Sequence, residues 1–395
     1  MSQKYDVIIV GGGIVGCMAA RELAPDHDVL VVERDQIGGG ATGKASGLVT
    51  VVEEYSDTPA AAAHAIEFFR EYDGTGHFSF HERSYVELRS DEHDVASLRD
   101  HAATLRENGF DAAFHTPDEL ENRFPDTFEL DGHAGGIVYE DAGWLDPYTF
   151  VTTVKEDAER DGATFLTGVE VDDLAVEDGS IVGVDTEADE RIRAEQVVVA
   201  AGWRTRQFVS EHVSIPTRPY RYQTYNLDHE RTLTEEFPMA WDEHSHLYFR
   251  AEPNGELHIG GGTYFVKPPG TPRSTTTEGF QRLIAGTIPE LITNLGEAQF
   301  VAGDTCRFGD SATPDRYPII DAPAEAPEGL AVATGTHGFG IMAAPVIGTA
   351  IRMVVTDEDG PFSVDEFSLD RFEDRSTDFG SSYIAESPEL VGPQS

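Results

Sequence analysis

Apolar residues Val7, Ile8, Ile9 and Val10 run directly into Gly11-Gly12-Gly13, and beyond the glycines apolar positions return at helical spacing. This pattern predicts a strand over 5–10, a helix over 14–24 and a second strand over 28–33, opened by Asp28 and closed by Glu33. Ala61, Ala65, Phe68 and Phe69 share one face of a helix expected over 58–72. From His81, short strands alternate with acidic helices expected over 91–108 and 116–123, and a further helix is expected over 147–161. The next forty residues read as strands joined by turns at Asp178-Gly179 and Ala188-Asp189, ending in a buried strand over 196–200. Residues 217–263 are strand-rich, with a hairpin turn at Asn254-Gly255, and a helix near 276–286 follows. "GLAVATGTHGFGIMAAPVIGTAIRMVV" then repeats the opening order of strand, glycine turn and long helix. The acidic tail after Thr356 is expected to pack loosely.

Dinucleotide-type pieces therefore stand at the start, middle and end of the chain, with strand-rich pieces between them. The expected layout is discontinuous: 1–80, 146–215 and 305–356 form one domain, 81–145 and 216–304 a second, and 357–395 a tail.

The first glycine turn carries chemistry. Gly11, Gly13 and Gly16 form G-x-G-x-x-G between a strand and a helix. Gly11 permits the tight turn, Gly13 lets backbone approach phosphates, and Gly16 lets helix and strand pack closely. Ile14 and Val15 open the helix, whose bare N–H groups and positive dipole suit a pyrophosphate. Glu33, about 20 residues on, can accept from ribose hydroxyls, which argues against a 2′-phosphate and hence against NADP.

Composition narrows the setting. The 395 residues suit two domains, and 39% hydrophobic content suits a globular enzyme. Seventy-two Asp and Glu stand against 28 Lys and Arg, a formal net charge of −44 spread over the whole chain. Such self-repulsion is relieved when molar salt shortens the screening length to about 3 Å, so a salt-rich cytoplasm is expected. Nucleic-acid binding is disfavoured, because no basic face is available to displace counterions. Cys17 and Cys306 make no disulfide framework. No apolar leader precedes the first strand, and the longest apolar stretch, 341–355, is short and carries Arg352. A cytoplasmic location without a membrane span is expected.

Taken together, "VIIVGGGIVG", "ERD", "GATGKASG", "GWLDP", "VVVAAGW", "YFRAEPNGELHIGGG", "TPDRYPIID", "GTHGFGIMAAPVIG" and "LDRF" resemble, in order, the D-amino-acid oxidase-like FAD-dependent oxidoreductases, which include the sarcosine and glycine oxidases. The resemblance spans nearly the whole chain. It implies an α/β protein: a glutathione-reductase-type, Rossmann-like FAD-binding domain interleaved with a mixed-sheet α+β substrate domain. It implies FAD as cofactor and removal of a hydride from the α-carbon of an amino acid or N-alkyl amino acid to flavin N5, giving an imine. The implied partners are a small amino-acid-like substrate and, as electron acceptor, oxygen or a redox partner. The same resemblance leaves open a hydroxy acid or polyol phosphate as substrate, or an FAD-carrying subunit of a larger dehydrogenase complex.

Carried over residue by residue, it sets Gly11, Gly13 and Gly16 at the pyrophosphate, Glu33 at the adenosine ribose and Arg34 beside adenine. Thr42, Ala45, Ser46 and Gly47 fall along the phosphates and flavin, and Val171 at adenine. Ala201 and Gly202 lie under the cofactor, and Gly338, Phe339, Gly340, Ile341 and Met342 at the flavin pyrimidine. Two positions depart from the sarcosine-oxidase pattern: His258 and Met342 stand where that subgroup has lysines. Cys306 is similar in place to a flavin-linking cysteine, but the run from it to "TPD" is longer than in that subgroup, so it reads rather as a small buried hydrophobe. Arg307 and Arg250 are candidates to hold a substrate carboxylate, since a planar guanidinium can give it two parallel bonds. His258, His337 and Tyr248 complete the candidate catalytic set. His244 and His246 read as strand-surface residues, with no third ligand to make a metal site.

Overall fold

The computed structural model describes residues 4–188, 190–234, 236–267, 273, 275–306 and 309–391. Of the expected features, Arg307 and Asp189 of the Ala188-Asp189 turn lie outside them.

The opening apolar run forms the strand Lys4–Val10, followed by the helix Ile14–Leu23 and the strand Val29–Glu33. These strands belong to a sheet whose parallel core runs, in spatial order, Leu330–Thr334, Arg191–Val199, Lys4–Val10, Val29–Glu33 and Thr164–Thr167. Every central position of Lys4–Val10 from Val7 on is buried, as a strand covered on both faces requires. One face is covered by the helices Ile14–Leu23, Pro59–Tyr72, Pro147–Arg160 and Ala344–Thr356. The first and last of these meet closely at Gly348, where an added methyl would lie 2.3 Å from Met18 Cγ.

Register decides what these strands build. Val10 pairs with Val199 on one side and Val32 on the other, and Val199 pairs with Val332. The strands therefore end level with one another. Gly11, Glu33, Ala200 and Ala333 emerge along one carboxyl edge, where open parallel sheets bind ligands.

A second, mixed sheet runs Ala298–Thr305, Arg218–His229, Leu257–Phe265, Leu247–Ala251, Met239–Asp242, Tyr85–Ser90, His133–Tyr139 and Ala112–His115. Its outer face packs on the helices Pro117–Arg123 and Glu278–Leu291. The Asn254-Gly255 turn joins Leu247–Ala251 to Leu257–Phe265, with Gly255 at φ +89°. The helix expected near 276–286 begins at Glu278 and continues to Leu291, through Pro289.

The segment after Thr356 does not pack loosely, contrary to its composition. Phe367 and Leu369 have no exposed surface, and Ile384 and Val391 are buried. Its acidic residues face solvent, while these few apolar ones, widely spaced, dock on the two sheets. Among the described residues no helix is long and apolar enough to cross a membrane.

Candidate functional site

Two adjoining cavities of about 290 Å³ each open between the sheets. The first follows the carboxyl edge of the parallel sheet. It is lined by the opening turn (Gly11, Gly13, Ile14, Val15), by Glu33 and Arg34, by Thr42 and Ala45, by Val171, by Ala201 and Gly202, and by the closing turn (Gly338, Gly340, Ile341). Three glycine-bearing turns, far apart in the chain, thus face one space.

The glycines are required by close backbone approach. Gly11 has φ +115°, and a methyl there would lie 2.4 Å from Ala200 O. At Gly16 a methyl would lie 1.9 Å from Gly11 O. Glu33 is held by two amides, Gly12 N to Oε2 at 2.8 Å and Asp35 N to Oε1 at 2.8 Å. Each carboxylate oxygen keeps acceptor capacity for a hydroxyl. One amide expected to be bare is satisfied: Ile14 N donates to Thr42 Oγ1 at 3.0 Å. At the far end, Arg34 lies 3.9 Å from Glu170, which also takes Arg204 at 2.7 Å, beside Val171. A cradle of glycines, a helix N-terminus and a carboxylate with acceptor capacity to spare is a donor and acceptor set that fits an adenine dinucleotide.

Asp310, missed in the sequence, organises the closing turn. It is buried, and its carboxylate accepts from Gly338 N at 2.8 Å, Ser311 N at 2.7 Å and Thr336 Oγ1 at 3.2 Å. Burial pushes its carboxyl upward against these hydrogen bonds. Cys306 is buried and lines the same cavity.

The second cavity shares Ala45, Tyr222, Gly338 and Ile341 with the first. Its ceiling is the mixed sheet. Glu87, Trp241 and Tyr248 lie side by side in register across three strands, so their side chains share a face. The neighbour of Tyr248 is Gly260, where a methyl would lie 1.9 Å from the Tyr248 ring; glycine there gives the phenol room. Ser46, Gly47, Phe339, Met342 and His337 line this cavity too.

Four catalytic candidates are thereby sorted. Tyr248 and His337 face the cavity. His337 has φ +51°, is 6% exposed, and neither ring nitrogen has a protein partner; burial, then Arg316, lowers its pKa to about 3. His258 does not reach the cavity. It stands behind Ser46, whose Oγ lies 2.9 Å from His258 Nε2 and 2.7 Å from Tyr248 Oη. On its other side, Nδ1 lies 2.8 Å from Asn226 Oδ1, while Asn226 Nδ2 donates to Glu256 at 2.9 Å. That orientation puts the proton on Nδ1 and leaves Nε2 to accept from Ser46. Burial, then Arg250, lowers the His258 pKa to about 3, so the ring is neutral.

Arg250 is a correction. Its guanidinium does not line the cavity; Nε and Nη2 donate to Ser46 O at 3.2 and 3.1 Å, it pairs with Glu252 at 3.1 Å, and it stacks over Trp144. It fixes the Ser46 loop and has no face left for a substrate. Another correction concerns His246, which sits in the turn between strands at φ +54° and lines the cavity; His244 contacts Gly132 O instead. Among the described residues no group of His, Cys, Asp and Glu could hold a metal ion.

The cavity's own cations are ones the sequence did not mark, Arg316 and Arg89. Arg316, at φ +73°, donates to Glu54 at 2.5 Å and lies 5.2 Å from the centre of the Phe339 ring. It belongs to "TPDRYPIID", a segment read only as a family mark.

The chain is 25% identical to glycine oxidase of Geobacillus kaustophilus, over 94% of this chain and 98% of that protein. It is 23% identical to mouse mitochondrial dimethylglycine dehydrogenase over 93% of its own length, but spans only 44% of that relative. Among solved structures, L-proline dehydrogenase from P. horikoshii superposes with a TM-score of 0.84 at 24% identity, over 94% of this chain and 99% of that one. Residues 6–352 match the family described as "DAO: FAD dependent oxidoreductase". With the glycine-lined cavity already in place, the chain belongs to this family of FAD-dependent oxidoreductases.

Proposed function

We propose that the protein oxidises the α-carbon of an amino acid or N-alkyl amino acid to the imine, which water then hydrolyses. Gly11, Gly13, Gly16, Glu33, Ala201, Gly202 and the closing turn would hold FAD in the first cavity, and the second receives the substrate. FAD, when bound, supplies the two-electron acceptor for this chemistry.

The observation that carries the reading is the character of the second cavity. It offers two guanidinia, Arg316 and Arg89, the latter paired with Glu87 and Glu243, and an extended acceptor wall of Glu53, Glu54, Glu87 and His337. The remaining N–H groups of Arg316 suit a carboxylate. The acceptor wall suits an amine, and the neutral His337 ring can take a hydrogen bond from it. A hydroxy acid brings one neutral O–H donor where an amine or ammonium brings two or three, and a polyol phosphate brings two negative charges against the carboxylates. Tyr248, its hydroxyl directed through Ser46 to His258, closes the cavity above. The names of glycine oxidase, dimethylglycine dehydrogenase and L-proline dehydrogenase are in keeping with an amino-acid substrate. No lysine lines the second cavity among the described residues, and Met342 lines it instead. The electron acceptor is therefore read by experiment.

That experiment is anaerobic mixing of the flavin-loaded protein with amino acids, N-methyl amino acids, hydroxy acids and glycerol phosphate, followed by admission of oxygen. Bleaching of the flavin by amines is the expected result, and the rate of colour return separates oxidase from dehydrogenase. Bleaching by glycerol phosphate or a hydroxy acid and by no amine overturns the reading.

A further inference from the structure

Resting on the amine-oxidation reading, the second cavity also carries information about which amine. Three carboxylates, Glu53, Glu54 and Glu87, line it. The guanidinia beside them each already pair with a carboxylate. Arg89 lies 2.7 Å from Glu87 and 3.3 Å from Glu243, and Arg316 lies 2.5 Å from Glu54. Glu53 makes no ion pair among the described residues; its side chain hydrogen-bonds to that of Glu54. Two touching carboxyls cannot both stay ionised without a counter-charge. Burial, then the Glu54 charge, push Glu53 well above the usual carboxylate range although Arg316 and Arg89 act the other way, so the two guanidinia do not offset three carboxylates.

The rest of the wall points the same way. Tyr85, Tyr220 and Trp241 line the cavity too, and aromatic faces attract cations, as Phe339 and Tyr383 show by holding Arg316. Independently, His337 keeps two buried ring nitrogens without a protein partner in the same space. A buried polar group left unmatched by protein calls for a ligand atom. For glycine or sarcosine, with one amine and one carboxylate, this acceptor set is larger than the ligand can satisfy.

We propose that the substrate carries, beyond its α-amine and carboxylate, a second cationic group, an ammonium or guanidinium, which Glu53 receives beside Glu54. The enzyme is then selective for basic amino acids or their N-alkyl derivatives. Glu53 enters on the short helix Val51–Glu54, after a segment that lines the second cavity from Ala45 to Thr50 and touches the first at Ala45.

Two measurements test this. The first is binding of 6-aminohexanoate and hexanoate to the flavin-loaded protein by calorimetry. Neither has an α-amine, and they differ only in the distal ammonium. The amino form is expected to bind on the order of 100-fold more tightly, the scale of a buried charge-assisted pair, and Glu53→Gln to abolish most of that difference. Equal binding of the two acids overturns the proposal. The second is anaerobic flavin reduction by lysine, ornithine and arginine, in both enantiomers, against norleucine, norvaline and citrulline. Basic substrates are expected to win by a similar factor in wild type and to lose the advantage in E53Q, with citrulline little changed. Reduction by neutral amino acids but not by basic ones overturns the cation site and leaves amine oxidation standing. If neither these amino acids nor their N-methyl derivatives reduce the flavin, amine oxidation falls, and the acid pair still decides the cation site. Should E53Q not fold, the wild-type comparisons decide alone.

Discussion

Replacing Gly16 by alanine isolates the contact on which the first cavity is built. The new methyl would lie 1.9 Å from Gly11 O and 3.3 Å from Ile9 Cγ2. The first obstacle is backbone of the turn itself, so no side chain can swing aside. Restoring an ordinary carbon–oxygen separation needs a shift of more than 1 Å between the helix Ile14–Leu23 and the opening turn. Overpacking of this kind costs about 3 kcal/mol. For a chain of this length that is a fall in Tm of about 3–4 °C if unfolding is cooperative, from the usual entropy per residue. The same shift would move the helix-end N–H groups away from a pyrophosphate held there. Two charge-assisted bonds lost at about 1.5 kcal/mol each weaken FAD by on the order of 100-fold. The assay is flavin content of the purified protein, from the ratio of visible to ultraviolet absorbance, with Tm measured alongside. Gly286→Ala is the control: it lies on an exposed helix face with nothing within 4 Å, and should raise stability slightly. A G16A protein that retains stoichiometric flavin at an unchanged Tm would refute the argument.

Four further outcomes are expected. Ser46→Ala removes the bridge between Tyr248 and His258 and strands a buried imidazole nitrogen. Denaturant unfolding should show a loss of about 1–3 kcal/mol, and no loss would mean the bridge contributes nothing. The His258 pKa is about 3 in the folded chain against an ordinary 6.5. The unfolded chain therefore binds the extra proton first, and the stability from a neutral His258 is full above pH 6.5 and is lost as pH falls towards 3. Relative to His258→Gln, wild type should lose up to about 1.4 kcal/mol per pH unit across that window; parallel curves would contradict the assignment. Phe367→Ala, at a fully buried tail position beside Tyr55 and Phe362, should cost about 3–5 kcal/mol in urea unfolding, whereas a loose tail would leave stability unchanged. With a net charge of −44, Tm should rise steeply with KCl between roughly 0.1 and 2 M if the acidic surface is adapted to salt, and a flat response would refute that expectation.

Much of the fold could be read from local pattern. The strand-glycine-helix order at residues 5–24 and again near 330–356, and the Asn254-Gly255 hairpin, depend on turn chemistry and periodicity that neighbours in sequence carry. The tail misled because its charge dominates the average, while burial depends on a few apolar side chains such as Phe367 and Leu369.

By itself, the sequence determined that glycine-bearing turns follow buried strands at the two ends of the chain and that an acid closes the second strand. Backbone conformation at those positions is a local property of residue type. Only the tertiary structure decided which side chains meet in the second cavity. Arg250 and His258 sit on adjacent strands in paired positions, and sheet pleat and loop packing turn both towards Ser46 and not the open space. Arg316, Glu53 and Glu87 come from three distant segments, and no spacing rule joins them. A site built from long-range contacts follows from sheet register and domain packing, which single-chain periodicity does not encode.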